Sequence, residues 1–189
     1  NAVIPSEVNV KNIDVKAELT IDNGGILTVT NKFEQANFYT VVLVEGGQIF
    51  QKNEGITARF KMDIENPSDW ETTQDGWQFI SMPMTGVDYR DFTSWGEYDL
   101  YKYDGSKEKE WLNHKENNDF EEGTFKSGYG YLATLKDVTT ATVYGTLNVA
   151  NPFAYRQFSW KENGELANLH LIGNPFTFKS ITGFLLKSI

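Results

Sequence analysis

Period-two alternation is the feature that most restricts this chain. Val8, Val10, Leu19, Ile21, Leu27 and Val29 alternate with polar neighbours, and Val42 and Val44 repeat the pattern. Successive side chains of a strand point to opposite faces, so this alternation predicts strands with one buried face. Glycine with Asn or Asp punctuates them at Asn23-Gly24-Gly25, Asp75-Gly76 and Asp104-Gly105, and a glycine pair does so at Gly46-Gly47. Glycine reaches positive φ without a Cβ penalty, which marks these as tight turns. No convincing helix longer than two turns stands out. The best candidate, Ser106 to His114 (Ser-Lys-Glu-Lys-Glu-Trp-Leu-Asn-His), reads equally well as a loop. The expected class is all-β.

A near repeat sharpens this expectation in the N-terminal third. Leu19-Thr20-Ile21-Asp22-Asn23-Gly24-Gly25-Ile26-Leu27 matches Val42-Leu43-Val44-Glu45-Gly46-Gly47-Gln48-Ile49-Phe50 in pattern, with Gly24 and Gly46 22 residues apart. That spacing suits one coil of a β-solenoid, in which each coil buries its apolar side against the next. Two hairpins of one sheet are the alternative. A polar stretch from Asn66 to Asp75 then suggests a boundary, and beyond it the chain turns aromatic. The expected organisation is a solenoid-like or hairpin layer over residues 1–66. An antiparallel, jelly-roll-like β-sandwich follows over 67–189.

Two further patterns lie in the second part. Trp77-Gln78-Phe79-Ile80-Ser81-Met82-Pro83-Met84-Thr85 parallels Leu169-His170-Leu171-Ile172-Gly173-Asn174-Pro175-Phe176-Thr177. Proline cannot donate to a ladder, so each strand is expected to end there or lie at an edge. The apolar tail Ile181 to Ile189 should be a strand tied into a sheet, since an exposed edge so apolar would aggregate.

The chain has 189 residues, enough for a sizeable core in one domain or a domain plus a smaller module. Lys and Arg total 17 against 26 Asp and Glu, a formal net charge of −9 that opposes nucleic acid and anionic membranes as partners. No apolar run approaches the ~18 residues of a membrane helix. There are no cysteines, which removes disulfides, thiolate chemistry and Cys-ligated metals. The chain begins at Asn1 without a signal-peptide pattern, so it is expected to be a mature or excised part of a larger polypeptide.

A series of short motifs occurs in order: Asp75-Gly76-Trp77-Gln78-Phe79-Ile80-Ser81-Met82-Pro83, Tyr98-Asp99-Leu100-Tyr101, Glu110-Trp111, Gly128-Tyr129-Gly130-Tyr131-Leu132-Ala133, Gly145-Thr146-Leu147 and Leu171-Ile172-Gly173-Asn174-Pro175-Phe176. With Val44 to Gln48 and Asn53 to Ala58 upstream, the series resembles a module of large secreted or surface-attached Bacteroidetes proteins, including adhesin-like ones. The resemblance spans roughly Val42 to Phe176. It implies a β-sandwich attached to solenoid-like repeats, placed outside a bacterial cell for display, adhesion or glycan contact. It carries over no catalytic residues. One departure is Gln78 with Met82-Pro83-Met84, where relatives carry Tyr or Asn and Ser-Pro-Val.

The residues themselves supply few reactive constellations. Gly-x-Ser-x-Gly and the Gly-rich phosphate loop are missing, and the two histidines, His114 and His170, lack zinc spacing. His170 is expected on the exposed face of its strand. Asp91, Glu97, Asp99 and Glu110 are the candidate carboxylates for a glycan-cleaving pair, the alternative to a non-catalytic module. Asn117, Asp119 and Glu121 offer hard oxygens for calcium, without EF-hand spacing. No cofactor is expected otherwise.

The aromatics carry the functional expectation. Sugar rings present apolar C–H faces that stack on Trp and Tyr, and their hydroxyls need Asn, Asp, Gln or Arg. Trp95, Tyr98, Trp111, Tyr129 and Tyr131 are the candidate surface, against a reading in which they fill the core. In Tyr98 to Tyr103, Tyr98 and Leu100 fall on one face and Tyr101 and Tyr103 on the other, which predicts a central strand buried between layers or a strand half covered by a loop. Turn-rich or polar contexts single out Trp95 and Trp111 as ligand platforms, with Glu97, Asp99 and Asn113 as polar partners. The expected partner is a surface glycan or another protein.

Overall fold

The computed structural model describes residues 1–64, 76–93, 96–116, 123–136, 139–149, 169–173 and 184–187. The chain is nearly all β, with one five-residue helix among the described residues. No helix among them is long and apolar enough to cross a membrane.

The N-terminal third is a parallel β-solenoid. Strands β1 (Ala2–Ile4), β3 (Leu19–Ile21), β5 (Val41–Val44) and β7 (Thr57–Asp63) pair in parallel on one wall. Strands β2 (Glu7–Val15), β4 (Ile26–Gln35) and β6 (Gln48–Phe50) do so on the other. Each coil contributes one strand to each wall, so the hairpin alternative is overturned: consecutive strands lie on different walls. The apolar residues stack in columns across coils. Ile4, Ile21, Leu43 and Phe60 form one; Val8, Leu27 and Ile49 form another. All join one apolar cluster, with Ile21 and Leu27 fully buried. Burying a side chain of this size contributes about 1.5–3 kcal/mol.

The repeat has the expected 22-residue spacing, with a one-residue slip in its strands. Leu19 pairs with Val41 and Thr20 with Val42, whereas the sequence pattern set Leu19 against Val42. A slip of one residue exchanges the two faces of a strand. Here the sequence hides the phase, because Val41, Val42 and Leu43 are all apolar and all buried.

The glycine pairs have two separate reasons. Gly24 and Gly46 hold φ of 79° and 86°, the left-handed region. The glycine after each one touches the coil before it. A Cβ on Gly25 would lie 2.0 Å from the Ile4 carbonyl oxygen, and one on Gly47 would lie 2.7 Å from that of Ile21. The Gly-Gly signature is therefore a turn followed by a close backbone crossing.

The second part is antiparallel. A four-stranded sheet runs in the order β11-β10-β12-β8, from β8 (Gln78–Ile80), β10 (Tyr98–Tyr103), β11 (Trp111–Asn113) and β12 (Tyr131–Leu135). Strand β13 (Thr140–Leu147) pairs with β7 over seven residues, and β9 (Met84–Thr85) pairs with β13. The solenoid wall thus continues as antiparallel sheet, taking strands from both sides of the boundary expected at residue 66. Helix α1 (Tyr89–Thr93) lies between β9 and β10 in sequence. Strands β14 (Leu169–Ile172) and β15 (Phe184–Lys187) form a separate antiparallel pair, which ties part of the apolar tail into a sheet.

The two proline-ended strands fall in different sheets: β8 stops before Pro83, and β14 stops before Pro175, which lies outside the described residues. The helix candidate Ser106 to His114 forms none. It is a turn leading into β11, because its first five residues carry no apolar stripe while Trp111 and Leu112 pair with Tyr103 and Lys102.

Gly25→Ala and Gly47→Ala should each lower the unfolding free energy by about 1–3 kcal/mol, since backbone must shift to admit the Cβ. Gly55→Ala meets nothing within 4 Å but sits at φ 77°, and should lose about 1–2 kcal/mol from the left-handed backbone alone. Urea titration measures all three. An unchanged midpoint for Gly25→Ala contradicts the close crossing.

Candidate functional site

Strand β10 lies between β11 and β12 in its sheet. Residues directly opposed in an antiparallel ladder share a face. One face carries Leu100, Ala133, Tyr131, Ile80 and Leu112, all buried in the common cluster. The other carries the row Phe79, Leu132, Tyr101 and Asn113. Beside it lie the pair Tyr103 and Trp111 and the pair Asp99 and Thr134. Trp77 joins this face next to Tyr101, ring centroids 5.7 Å apart, and Trp111 packs edge-on to Tyr103 at 5.2 Å. Alternation therefore gathers two tryptophans, two tyrosines and a phenylalanine on one sheet surface.

Access varies across this face. Phe79 is 40% exposed, while Trp77, Tyr101 and Trp111 are half-buried and Tyr103 is buried. Burial, with the carboxylates of Glu110 and Asp104 nearby, pushes the Tyr103 phenol up to about 12, so it stays neutral. Asp99 is held by Lys115 at 3.2 Å, and Lys115 also stands 4.9 Å from the centre of the Tyr98 ring. Glu97 is exposed and pairs with Lys136 at 3.2 Å. Such exposed pairs contribute little to stability and leave the polar rim free to rearrange.

The expected site residues separate as follows. Trp111 and Asp99 share the aromatic face, and Glu97 precedes Asp99 by two residues at its edge. Asn113 is on the same face but is only 4% exposed, and its Oδ1 accepts the Lys115 N–H at 2.8 Å; it closes the turn after β11. Its side chain is used structurally, which corrects its assignment as a ligand partner. Trp95 lies outside the described residues, as do the calcium candidates Asn117, Asp119 and Glu121. Of the two readings of Tyr131, core holds: it is 1% exposed and packs on Phe125 and Tyr89. Tyr98 faces inward with it.

The remaining carboxylates are dispersed. Asp91 sits on α1, where its carboxylate accepts the Tyr144 N–H and burial raises its pKa. Glu110 Oε1 is buried without a hydrogen-bond partner among the described residues. Glu97 and Asp99 lie at one end of the aromatic face, and Glu110 lies near its Tyr103. The side chain of His170 is outside the described residues. His114 is half-buried at the end of β11, its Nδ1 2.9 Å from the Tyr98 hydroxyl and its ring against Tyr89.

Trp77, Phe79 and Tyr101 are the site residues that sequence reasoning did not select. The period-two pattern contained the signal, since Trp77-Gln78-Phe79 alternates as Tyr101-Lys102-Tyr103 does. What it lacked was the cross-strand register that brings the two strands' faces together. No family model matches this chain, and no curated protein or solved structure is significantly similar to it.

Burial lowers the pKa of His114. The unfolded chain then takes up its proton near pH 6.5 while the folded chain does so only at lower pH. The unfolded state binds more protons in that interval, so stability falls as pH drops below about 6.5, by at most about 1.4 kcal/mol per pH unit for this one group. Melting temperature measured from pH 7 to pH 5 should show a steeper decline in the native chain than in His114→Gln. Parallel curves contradict the assignment.

Proposed function

We propose that this chain is a non-catalytic module of a secreted or cell-surface bacterial protein, and that it contacts carbohydrate through the aromatic face of the four-stranded sheet. The observation that carries this reading is the placement of Trp77, Phe79, Tyr101 and Trp111 on one face with Asp99 at its rim. Aromatic rings stack on the C–H faces of a pyranose, and the rim offers a carboxylate and a lysine to its hydroxyls. The cell-surface setting, and the place of the module in a larger adhesin-like polypeptide, rest on the resemblance to Bacteroidetes modules. We read the antiparallel part as a jelly-roll-like sandwich. One layer is the four-stranded sheet and the other the β7-β13-β9 edge of the solenoid wall, a reading supported by their common apolar cluster.

The glycan-cleaving alternative draws less support. It needs one carboxyl group kept as an acid and a second across the sugar. Glu97 and Asp99 each form an ion pair with a lysine, Lys136 and Lys115, and no second carboxylate stands across from either among the described residues. A display and adhesion role asks only for weak contacts: one stacked sugar corresponds to millimolar affinity, about −4 kcal/mol, which several rings or several copies raise.

Electrophoresis through gels containing glucan, mannan, xylan or mucin tests this proposal. The native chain should be retarded by at least one of them. The double substitution Phe79→Ala/Tyr101→Ala should weaken that retardation about tenfold, equivalent to about 1.4 kcal/mol. Phe38→Ala, an aromatic 79% exposed on the solenoid, should leave it unchanged. Retardation by none of the four, or equal retardation of the double variant, overturns the proposal.

A further inference from the structure

The two ends of the solenoid are built differently. At one end β13 covers the wall strand β7 along its whole length. At the other, β1 pairs only with β3 and β2 only with β4 among the described strands. A strand paired on one side leaves alternate N–H and C=O groups pointing away, ready to receive another strand. Strand β2 does so over nine residues.

The side chains at this end are incomplete in the same direction. Ile4, Val8, Val10 and Ile13 are only half-buried. Their partners one coil further on, Ile21, Leu27, Val29 and Phe33, are 0%, 0%, 2% and 4% exposed. A polar ladder runs the same way. Asn53 Nδ2 donates to the Asn31 carbonyl oxygen at 3.3 Å, and Asn31 Nδ2 donates to Asn12 Oδ1 at 2.7 Å. Each amide donates towards the preceding coil, and Asn12 is the last asparagine of this ladder.

We infer that the β1–β2 edge is a docking surface for one further parallel coil of the same build, with apolar residues over Ile4, Val8, Val10 and Ile13. The columns and the ladder specify the occupant, because they extend the coil-to-coil contact already present between β2 and β4. A second copy of this chain does not supply it. Two copies meeting by a two-fold axis would pair β2 with β2 antiparallel, and a copy's far end presents antiparallel β13 on one wall and only the three-residue β6 against nine-residue β2 on the other.

An added coil tests this. A copy of residues 19–40, joined to Ala2 in place of Asn1, would set its Leu19 over Ala2 with the same 22-residue step that separates Leu19 from Val41. Amide hydrogen exchange in β2 should slow roughly tenfold in the extended chain, and the melting temperature should rise. The same extension carrying Asp at its copies of Leu27 and Val29 should give neither effect. Unchanged β2 exchange in a folded extended chain overturns the inference. So does a dimer of the 189-residue chain, by sedimentation, in which β2 is already protected.

Discussion

The pairing of β7 with β13 is the contact on which the rest depends. A parallel solenoid must end somewhere, and its last coil exposes both an apolar column and a row of unpaired backbone groups. Seven residues of β13 satisfy that row, and Val143 continues the column of Ile21, Leu43 and Phe60. The same strand belongs to the antiparallel half. One ladder therefore caps the β7 wall of the solenoid, and the solenoid and the antiparallel part share a single apolar cluster.

The aromatic surface follows from that anchoring. The four-stranded sheet spends one face on the shared core through Leu100, Tyr131 and Ala133, each at most 1% exposed. Strict alternation sends Tyr101, Phe79 and Trp111 the opposite way. A face so aromatic is costly to leave in water, so its retention beside the Asp99–Lys115 pair argues for contact with something amphipathic. A sugar ring, apolar on its face and polar at its rim, fits that description.

Much of the solenoid was legible because its signals are local. The Gly-Gly pairs fix both a turn and a close crossing, and the 22 residues from Gly24 to Gly46 equal the step from β3 to β5. The strand phase was not legible where Val41, Val42 and Leu43 blur the alternation. The β7–β13 contact was not legible at all, since residues paired there lie about 80 positions apart with no turn between to set their register. The site shows the same division. The two faces of β10 could be read from Tyr98 to Tyr103 alone, whereas the convergence of Trp77, Tyr101 and Trp111 needed the ladder. Asn113 failed as a ligand residue for a related reason: a polar side chain after a strand serves turn closure as readily as recognition.

The central claim is that this aromatic face is where carbohydrate meets the protein. Titrating the isotope-labelled chain with a polysaccharide fragment that retards it, and following amide, indole and methyl resonances by NMR, locates the contact residue by residue. The account requires the Trp77 and Trp111 indole signals and those of Phe79 and Leu132 to move together, with Leu27 and Leu43 of the solenoid core still. Shifts confined to the solenoid, or none across the sheet, would contradict it.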